Sequence, residues 1–243
     1  MHPLTDPEVL SCWEEGFREK PVQRTLRLLA AAMPESSRTE LASLSIGDQD
    51  QHLMTLRGLM FGPKAECIST CPSCGEQLEF SCLLSDFTRP PPGAGRKMTS
   101  VSKNGYTVAF RLPTTADLLE ISAIPDPVTA RKELFRKCIR SVLYRKKKVP
   151  PERIPPAVEE VALNRMEELD PMAEVRISLR CTACETAWEE IFDIGSFFWD
   201  EIHARAMSIL QDVHELARAY GWAERAILAM SPERRSLYRE MID

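Results

Sequence analysis

The sequence predicts an α+β protein, predominantly helical, with a small antiparallel β element at its centre and a helical hairpin at its C-terminus. Three observations point there. Apolar residues recur at helical spacing near both ends of the chain, whereas two stretches between them alternate apolar and polar with a period of two. Each alternating stretch is interrupted by a Cys-x-x-Cys turn, Cys71/Cys74 in one and Cys181/Cys184 in the other. Hydrophobic residues make up 44% of the 243 and charged residues 28%, enough to bury a core, while only 10 glycines argue against a glycine-rich barrel, propeller or fibre.

The elements follow in order. Val22, Leu26, Leu29 and Met33 share a helical face that Pro34 ends. Ser37 and Glu40 have the spacing of a capping box, opening a short helix through Leu41 and Leu44 to Gly47. Asp48 caps the next, with Leu53, Leu56 and Met60 inward and Gly62-Pro63 as its stop. Ala65, Cys67 and Ser69 then alternate into Cys71-Pro72-Ser73-Cys74-Gly75, and Leu78, Phe80 and Cys82 alternate out of it. That pattern is strand, tight knuckle, strand. Phe87 to Lys97, with Pro90-Pro91-Pro92 and Gly93-Ala94-Gly95, reads as a loop. Asn104-Gly105 signals a hairpin turn, and Tyr106, Val108 and Phe110 make a third strand closed by Pro113.

Helix returns at Thr114, capped with Asp117, and breaks at Pro125-Asp126-Pro127. The following helix has an apolar stripe of Leu134, Phe135, Cys138, Ile139 and Val142, with Arg136, Lys137 and Arg140 on its other face and Arg145 to Lys148 at its end. Past a proline-rich turn, Val158, Val161, Ala162, Met166 and Leu169 mark another helix, stopped at Asp170-Pro171. The strand, knuckle, strand unit then recurs around Cys181-Thr182-Ala183-Cys184, from Val175 to Ile194. Phe198, Ile202, Ala206, Ile209, Val213, Leu216 and Tyr220 form the longest stripe, with Gly221 at the C-cap and Ser231-Pro232 starting a final short helix. The organisation expected is a helical region over 1–62, a first zinc-knuckle hairpin plus third strand over 63–113, a helical insertion with a basic helix over 114–172, a second zinc-knuckle hairpin over 173–195, and the helical hairpin over 196–243.

Charge and compartment narrow the function classes. The formal charge is −5, yet Val128 to Arg153 holds ten Lys/Arg against two Glu. Overall acidity disfavours a nucleic-acid binder, because phosphate neutralisation supplies most non-specific affinity. No apolar run approaches the roughly 20 residues of a membrane span, and the N-terminus lacks the basic stretch and apolar core of a signal peptide. A reducing, cytoplasmic compartment is expected, in which paired Cys-x-x-Cys points to metal or redox chemistry rather than a disulfide framework.

Cys71, Cys74, Cys181 and Cys184 match a structural Zn²⁺ site, since zinc takes four tetrahedral thiolates and each turn presents two. A compact ribbon has about 15–20 residues between its pairs; here 106 intervene, so the ribbon is split by an insertion. Buried apolar cysteine pairs and a thioredoxin-like pair are the competing readings, the latter lacking its βαβ context. Cys67 and Cys82 read as small core residues. A four-sulfur site has no open position, so this metal holds a fold together and does no chemistry.

Enzyme signatures are missing: no glycine-rich phosphate loop, no Gly-x-Ser-x-Gly elbow, and Arg218 where His214-Glu215 would need a second zinc-protease ligand. His203 and His214 read as ordinary interface or surface histidines, and Asp200, Glu201, Asp212 and Glu215 as a solvated helix face. The basic residues Arg136, Lys137, Arg140, Lys146, Lys147 and Lys148 are either a solvated face or a docking surface for an acidic partner or nucleic acid. Base stacking is poorly supported, because Phe135 faces the core and Tyr144 stands alone. Trp222 is either an anchor for a partner or a cap on the helical hairpin.

Several stretches together look familiar: Leu44 to Asp48, Cys71 to Phe80, Phe110 to Leu118, Phe192-Asp193-Ile194, Trp199 to Ile202, His214 to Trp222, and Ile227 to Arg235. From about residue 40 to the end, the chain resembles bacterial proteins grouped with the baseplate hub assembly chaperones of T-even-type contractile phages, encoded with phage-tail-like contractile injection systems. The Tyr-Gly-Trp to Ser-Pro-x-Arg-Arg segment weighs most. The resemblance implies a non-enzymatic assembly factor or component of the baseplate, binding hub or wedge proteins, cytoplasmic in the producing bacterium and incorporated into the particle if it is a subunit. The second knuckle departs by lacking the Pro and Gly of the first. A zinc-ribbon nucleic-acid-binding regulator is the second reading, and a metal-dependent hydrolase the third.

Overall fold

A computed structural model of the chain describes residues 1–87 and 99–242, so the expected Pro90-Pro91-Pro92 loop lies outside the described residues. In chain order the elements are α1 (Asp6–Gly16), α2 (Pro21–Ala32), α3 (Arg38–Ala42), α4 (Ile46–Phe61), β1 (Lys64–Thr70), β2 (Gln77–Leu83), α5 (Leu84–Phe87), β3 (Thr99–Lys103), β4 (Tyr106–Phe110), α6 (Thr115–Ile121), α7 (Pro127–Cys138), β5 (Ile139–Tyr144) and β6 (Lys147–Val149). A 3₁₀ turn (Pro151–Arg153), α8 (Pro156–Leu169), β7 (Arg176–Arg180), β8 (Ala187–Ile191), α9 (Ile194–Tyr220), α10 (Glu224–Leu228) and α11 (Pro232–Glu240) complete it. The fold is α+β, mostly helical with small antiparallel sheets. Two compact units result, Met1–Pro34 with Gly195–Asp243, and Glu35–Ile194. The boundary at Pro34 falls inside the helical region expected over 1–62.

In the first unit, the stripe of α9 is buried at Phe198, Ile202, Ala206, Ile209 and Leu216, as its spacing predicts. Leu26, Leu28, Leu29 and Ala32 of α2 are buried too. Trp13 Nε1 donates to His203 Nδ1 at 2.9 Å, and the Arg24 guanidinium lies 4.7 Å from the Trp199 ring centre. Asp212, expected on a solvated face, is instead buried. Arg235, with no exposed surface, donates to Asp212 at 3.1 Å, to the Met230 carbonyl at 2.9 Å and to Asp6. Arg239 holds the other Asp212 oxygen at 2.7 Å and Glu215 at 2.6 Å. A buried carboxylate needs such partners, and the Arg side chains that supply them come from a helix remote in sequence.

The second unit contains a four-stranded antiparallel sheet in the order β3-β4-β5-β6 and two separate hairpins, β1-β2 and β7-β8. Phe110, Cys138, Ala162, Met166 and Leu169 form one core cluster, and Val108, Val142 and Val158 another, so α8 covers the sheet. The sequence reading carried α7 through Val142 into the lysines; the structure ends it at Cys138 and turns Ile139–Val149 into a hairpin. The cause is a register shift at Ala109/Phe110, where β4 skips Arg140 of β5. That bulge puts Ile139 and Val142, three apart, both against the core, a spacing that reads as helical in one dimension. At α4 the N-cap is Ser45, whose Oγ accepts from the Asp48 N–H at 3.1 Å, rather than Asp48 itself. The Thr114–Asp117 capping box forms as expected, and Asp117 also takes an Arg111 N–H at 2.6 Å.

Candidate metal centre

Each hairpin builds half of the site in the same way. In β1-β2, Ala65, Cys67 and Ser69 face inward and lead to Cys71; the Cys71 N–H donates to the Glu76 carbonyl at 2.8 Å, and the Gly75 N–H to the Cys71 carbonyl at 3.0 Å. In β7-β8 the Cys181 N–H donates to the Thr186 carbonyl at 2.9 Å, and the Glu185 N–H to the Cys181 carbonyl at 3.1 Å. Closing the knuckle requires a left-handed residue after the second cysteine. Gly75 takes it at φ 77°, and Glu185 takes it at φ 60° despite its Cβ. The missing glycine of the second knuckle therefore leaves the geometry intact and places strain on Glu185.

Ser69 Oγ of β1 donates to the Glu190 carboxylate of β8, and just beyond the hairpins the Phe87 ring of α5 stacks on that of Phe192, 5.5 Å apart at 28°. The outcome is that Cys71, Cys74, Cys181 and Cys184 converge, with all four sulfurs within 4.8 Å of one another. Across the two knuckles, Cys71 Sγ lies 3.6 Å from Cys184 Sγ, and Cys74 Sγ 3.6 Å from Cys181 Sγ. A tetrahedral ion with bonds of about 2.3 Å to sulfur sets its ligands about 3.8 Å apart. The donor set and spacing fit such an ion. Cys71 and Cys181 are buried, whereas Cys74 and Cys184 face solvent.

Four thiols this close cannot all ionise without a cation between them. Thr186 and then Cys74 hold the Cys184 thiol down to about 6. Cys74, although the Glu76 backbone N–H favours its thiolate, is pushed up to about 12 by its hydrogen bonds with Cys184 and Cys181. A divalent ion held by Cys71, Cys74, Cys181 and Cys184 would replace this proton sharing with thiolate bonds. Cys67 and Cys82 stand apart as a pair, their sulfurs 3.9 Å from each other, within the β1-β2 face as expected of core residues.

A protein-family model described as T4 bacteriophage base plate protein matches residues 18–199. The chain belongs to that family. No curated protein and no solved structure matches it. In this baseplate-family chain the matched span takes in both knuckles and everything between them. It stops within α9, so the Tyr220 to Arg235 segment that weighs most in the sequence resemblance lies beyond it. Among the described residues no helix is long and apolar enough to cross a membrane.

The six basic residues singled out from the sequence do not share one helix. Arg136 and Lys137 lie on α7 and pair with Glu133 (2.8 Å) and Glu120. Arg140 is the bulged residue of β5, Lys146 sits in the β5-β6 turn, and Lys147 and Lys148 belong to β6. Tyr144 does not stand alone: its ring lies 4.6 Å from that of Tyr106. Trp222 stacks on Tyr220 at 4.5 Å and meets Tyr238 edge-on at 4.9 Å, half-buried in a three-ring cluster. His203 is engaged by Trp13, and His214 is exposed. Sequence reasoning did not connect Lys103 and Tyr106 with the basic run that ends Arg145 to Lys148, because strand pairing rather than proximity in the chain joins them to it.

Proposed function

We propose that this chain is a non-enzymatic, zinc-stabilised assembly factor or structural component of the baseplate of a contractile, phage-tail-like injection system. Membership of the baseplate family carries the reading. Zn²⁺ is the ion assigned to Cys71, Cys74, Cys181 and Cys184, because a tetrahedral four-thiolate set suits zinc and leaves no coordination position for a substrate. Its role is to clamp two hairpins that the sequence separates by 106 residues. Hub or wedge proteins are the partners, met through basic residues (Arg136, Lys137, Arg140 and Lys146 to Lys148) and through Trp222. The protein is made in the cytoplasm of the producing bacterium, and a subunit would travel into the particle where a chaperone would not.

The test is an affinity pull-down of tagged protein from producing cells at two salt concentrations, with sedimented particles probed alongside. Baseplate proteins among the partners support the assembly reading, and presence in particles separates subunit from chaperone. Recovery of nucleic acid or transcription proteins, lost at higher salt, would replace it with a nucleic-acid-binding regulator. Elemental analysis should return one zinc per chain, without the visible absorption of an iron–sulfur cluster.

A further inference from the structure

The four-stranded sheet has a cationic end. Across it, one row of paired residues runs Lys103, Tyr106, Tyr144, Lys147, so two lysines flank two tyrosines on one face. Beyond this row lie two turns, Asn104-Gly105 and Arg145-Lys146, tied together by the Arg145 N–H donating to the Gly105 carbonyl at 2.8 Å. Lys148 follows on β6. Lys103, Arg145, Lys146, Lys147 and Lys148 are all exposed, and residues 102–107 and 143–148 include no Asp or Glu. Among the described residues none of these five cations has an ion-pair partner, whereas Arg136 and Lys137 are already paired.

The turn itself is a second observation. Arg145 and Lys146 both adopt left-handed backbone, at φ 47° and 68°, which a two-residue hairpin loop requires and which Asn-Gly supplies without strain. The neighbouring Asn104-Gly105 turn has that solution. Keeping two long cations where a strain-free pair would serve the fold places charge at the tip at a cost in stability, a pattern typical of binding sites.

We propose that this end of the sheet docks an acidic segment of a partner protein in extended form. Three strand spacings separate Lys103 from Lys147, roughly 14 Å, which an extended segment of about four residues spans. Lys103 and Lys147 take its ends, and Arg145 and Lys146 of the turn flank it, while Lys148, one residue on in β6, stands on the other face of the sheet. The tyrosines favour protein over nucleic acid: their rings meet each other at 4.6 Å, Tyr106 also packs against the Val108, Val142 and Val158 cluster, and the Arg145 guanidinium lies 5.4 Å from the Tyr144 ring centre, so both rings are already engaged within the chain. A chain of net charge −5 also repels a polyphosphate, whereas a short acidic segment senses only the local cations. The proposal deepens the assembly reading and rests on it only in taking the partner to be a protein.

The test titrates the full-length protein against a fluorescein-labelled peptide with a five-glutamate run and, separately, against a labelled 20-base-pair DNA duplex. The peptide is expected to bind with steep salt dependence, weakened at least tenfold by Lys146→Glu/Lys147→Glu and unchanged by Arg165→Gln, an exposed cation on α8 outside this patch. Replacing the turn by Arg145→Asn/Lys146→Gly should raise the melting temperature while weakening peptide binding, which guards against loss through misfolding. Equal binding by the tip variants, failure of the peptide to bind at low salt, or tighter binding of DNA through the same residues would each overturn the proposal. Recovery of no baseplate protein with the chain, in the soluble fraction or in particles, would sink the assembly reading while leaving peptide binding untouched, so the two failures are distinguishable.

Discussion

Asp50, on α4, faces Asp170 and Asp193, and burial together with those two carboxylates pushes its own carboxyl up to about 8. Between the ordinary aspartate range and that value the folded chain binds a proton that the unfolded chain has released. Stability attributable to Asp50 is therefore fully present below about pH 4 and is lost as pH rises toward 8. Asp50→Asn should raise the melting temperature by several degrees at pH 8 and by much less at pH 5, and calorimetry at the two values reads the difference. Glu185 makes the opposite case, a residue whose backbone rather than charge is strained. Glu185→Gly should stabilise the second knuckle by about 1 kcal/mol, seen as slower metal loss to a chelator. The pattern Cys-x-x-Cys shows where the sulfurs are; only the backbone reveals which knuckle is under tension.

At the level of elements, the join between α4 and the end of α8 depends on a missing side chain. Asp170 accepts from Ser45 Oγ and from the Gly47 N–H, both at 3.0 Å, so an acid following α8 sits against the positive N-terminal end of α4. A Cβ on residue 47 would lie 2.2 Å from Asp170 Oδ1 and 2.9 Å from the Ala173 backbone nitrogen. Gly47→Ala should cost about 1–3 kcal/mol, measurable by denaturant unfolding, since one of the obstructing atoms is backbone. Most elements were legible because their stripes are local: both knuckle hairpins, the Asn104-Gly105 turn and α9 form where period and turn residues place them. The β5-β6 hairpin was not, because a bulge reproduces helical spacing and its turn lacks the usual Asn-Gly. Asp212 was misplaced for a related reason: a carboxylate on a helix reads as solvated until a distant arginine is packed over it.

For the whole molecule, an ion held by Cys71, Cys74, Cys181 and Cys184 would close a loop of 106 residues in the second unit. Thiolate binding energy of order 10–16 kcal/mol in small peptides far exceeds the contribution of any single contact between the hairpins. Removing the ion with a strong chelator, or replacing Cys71 and Cys181 with serine, should lower the melting temperature of the unit holding both knuckles by tens of degrees. Zinc add-back should restore the first case and not the second, with thermal unfolding followed by near-ultraviolet circular dichroism as the readout. Acidification should release the ion as well, because protons compete for the thiolates.

Period, turn chemistry and Cys-x-x-Cys spacing are local properties, so the mixed fold class, the two cysteine knuckles and the resemblance to baseplate proteins can all be read from the chain alone. Tertiary structure alone decided that the two halves of the site meet at 3.6 Å and that Asp212 is buried beneath Arg235. It alone also gathered Lys103, Tyr106, Tyr144 and Lys147 into one row. Each of these joins residues far apart in the chain, and such contacts are selected by packing and strand register, which no local pattern encodes.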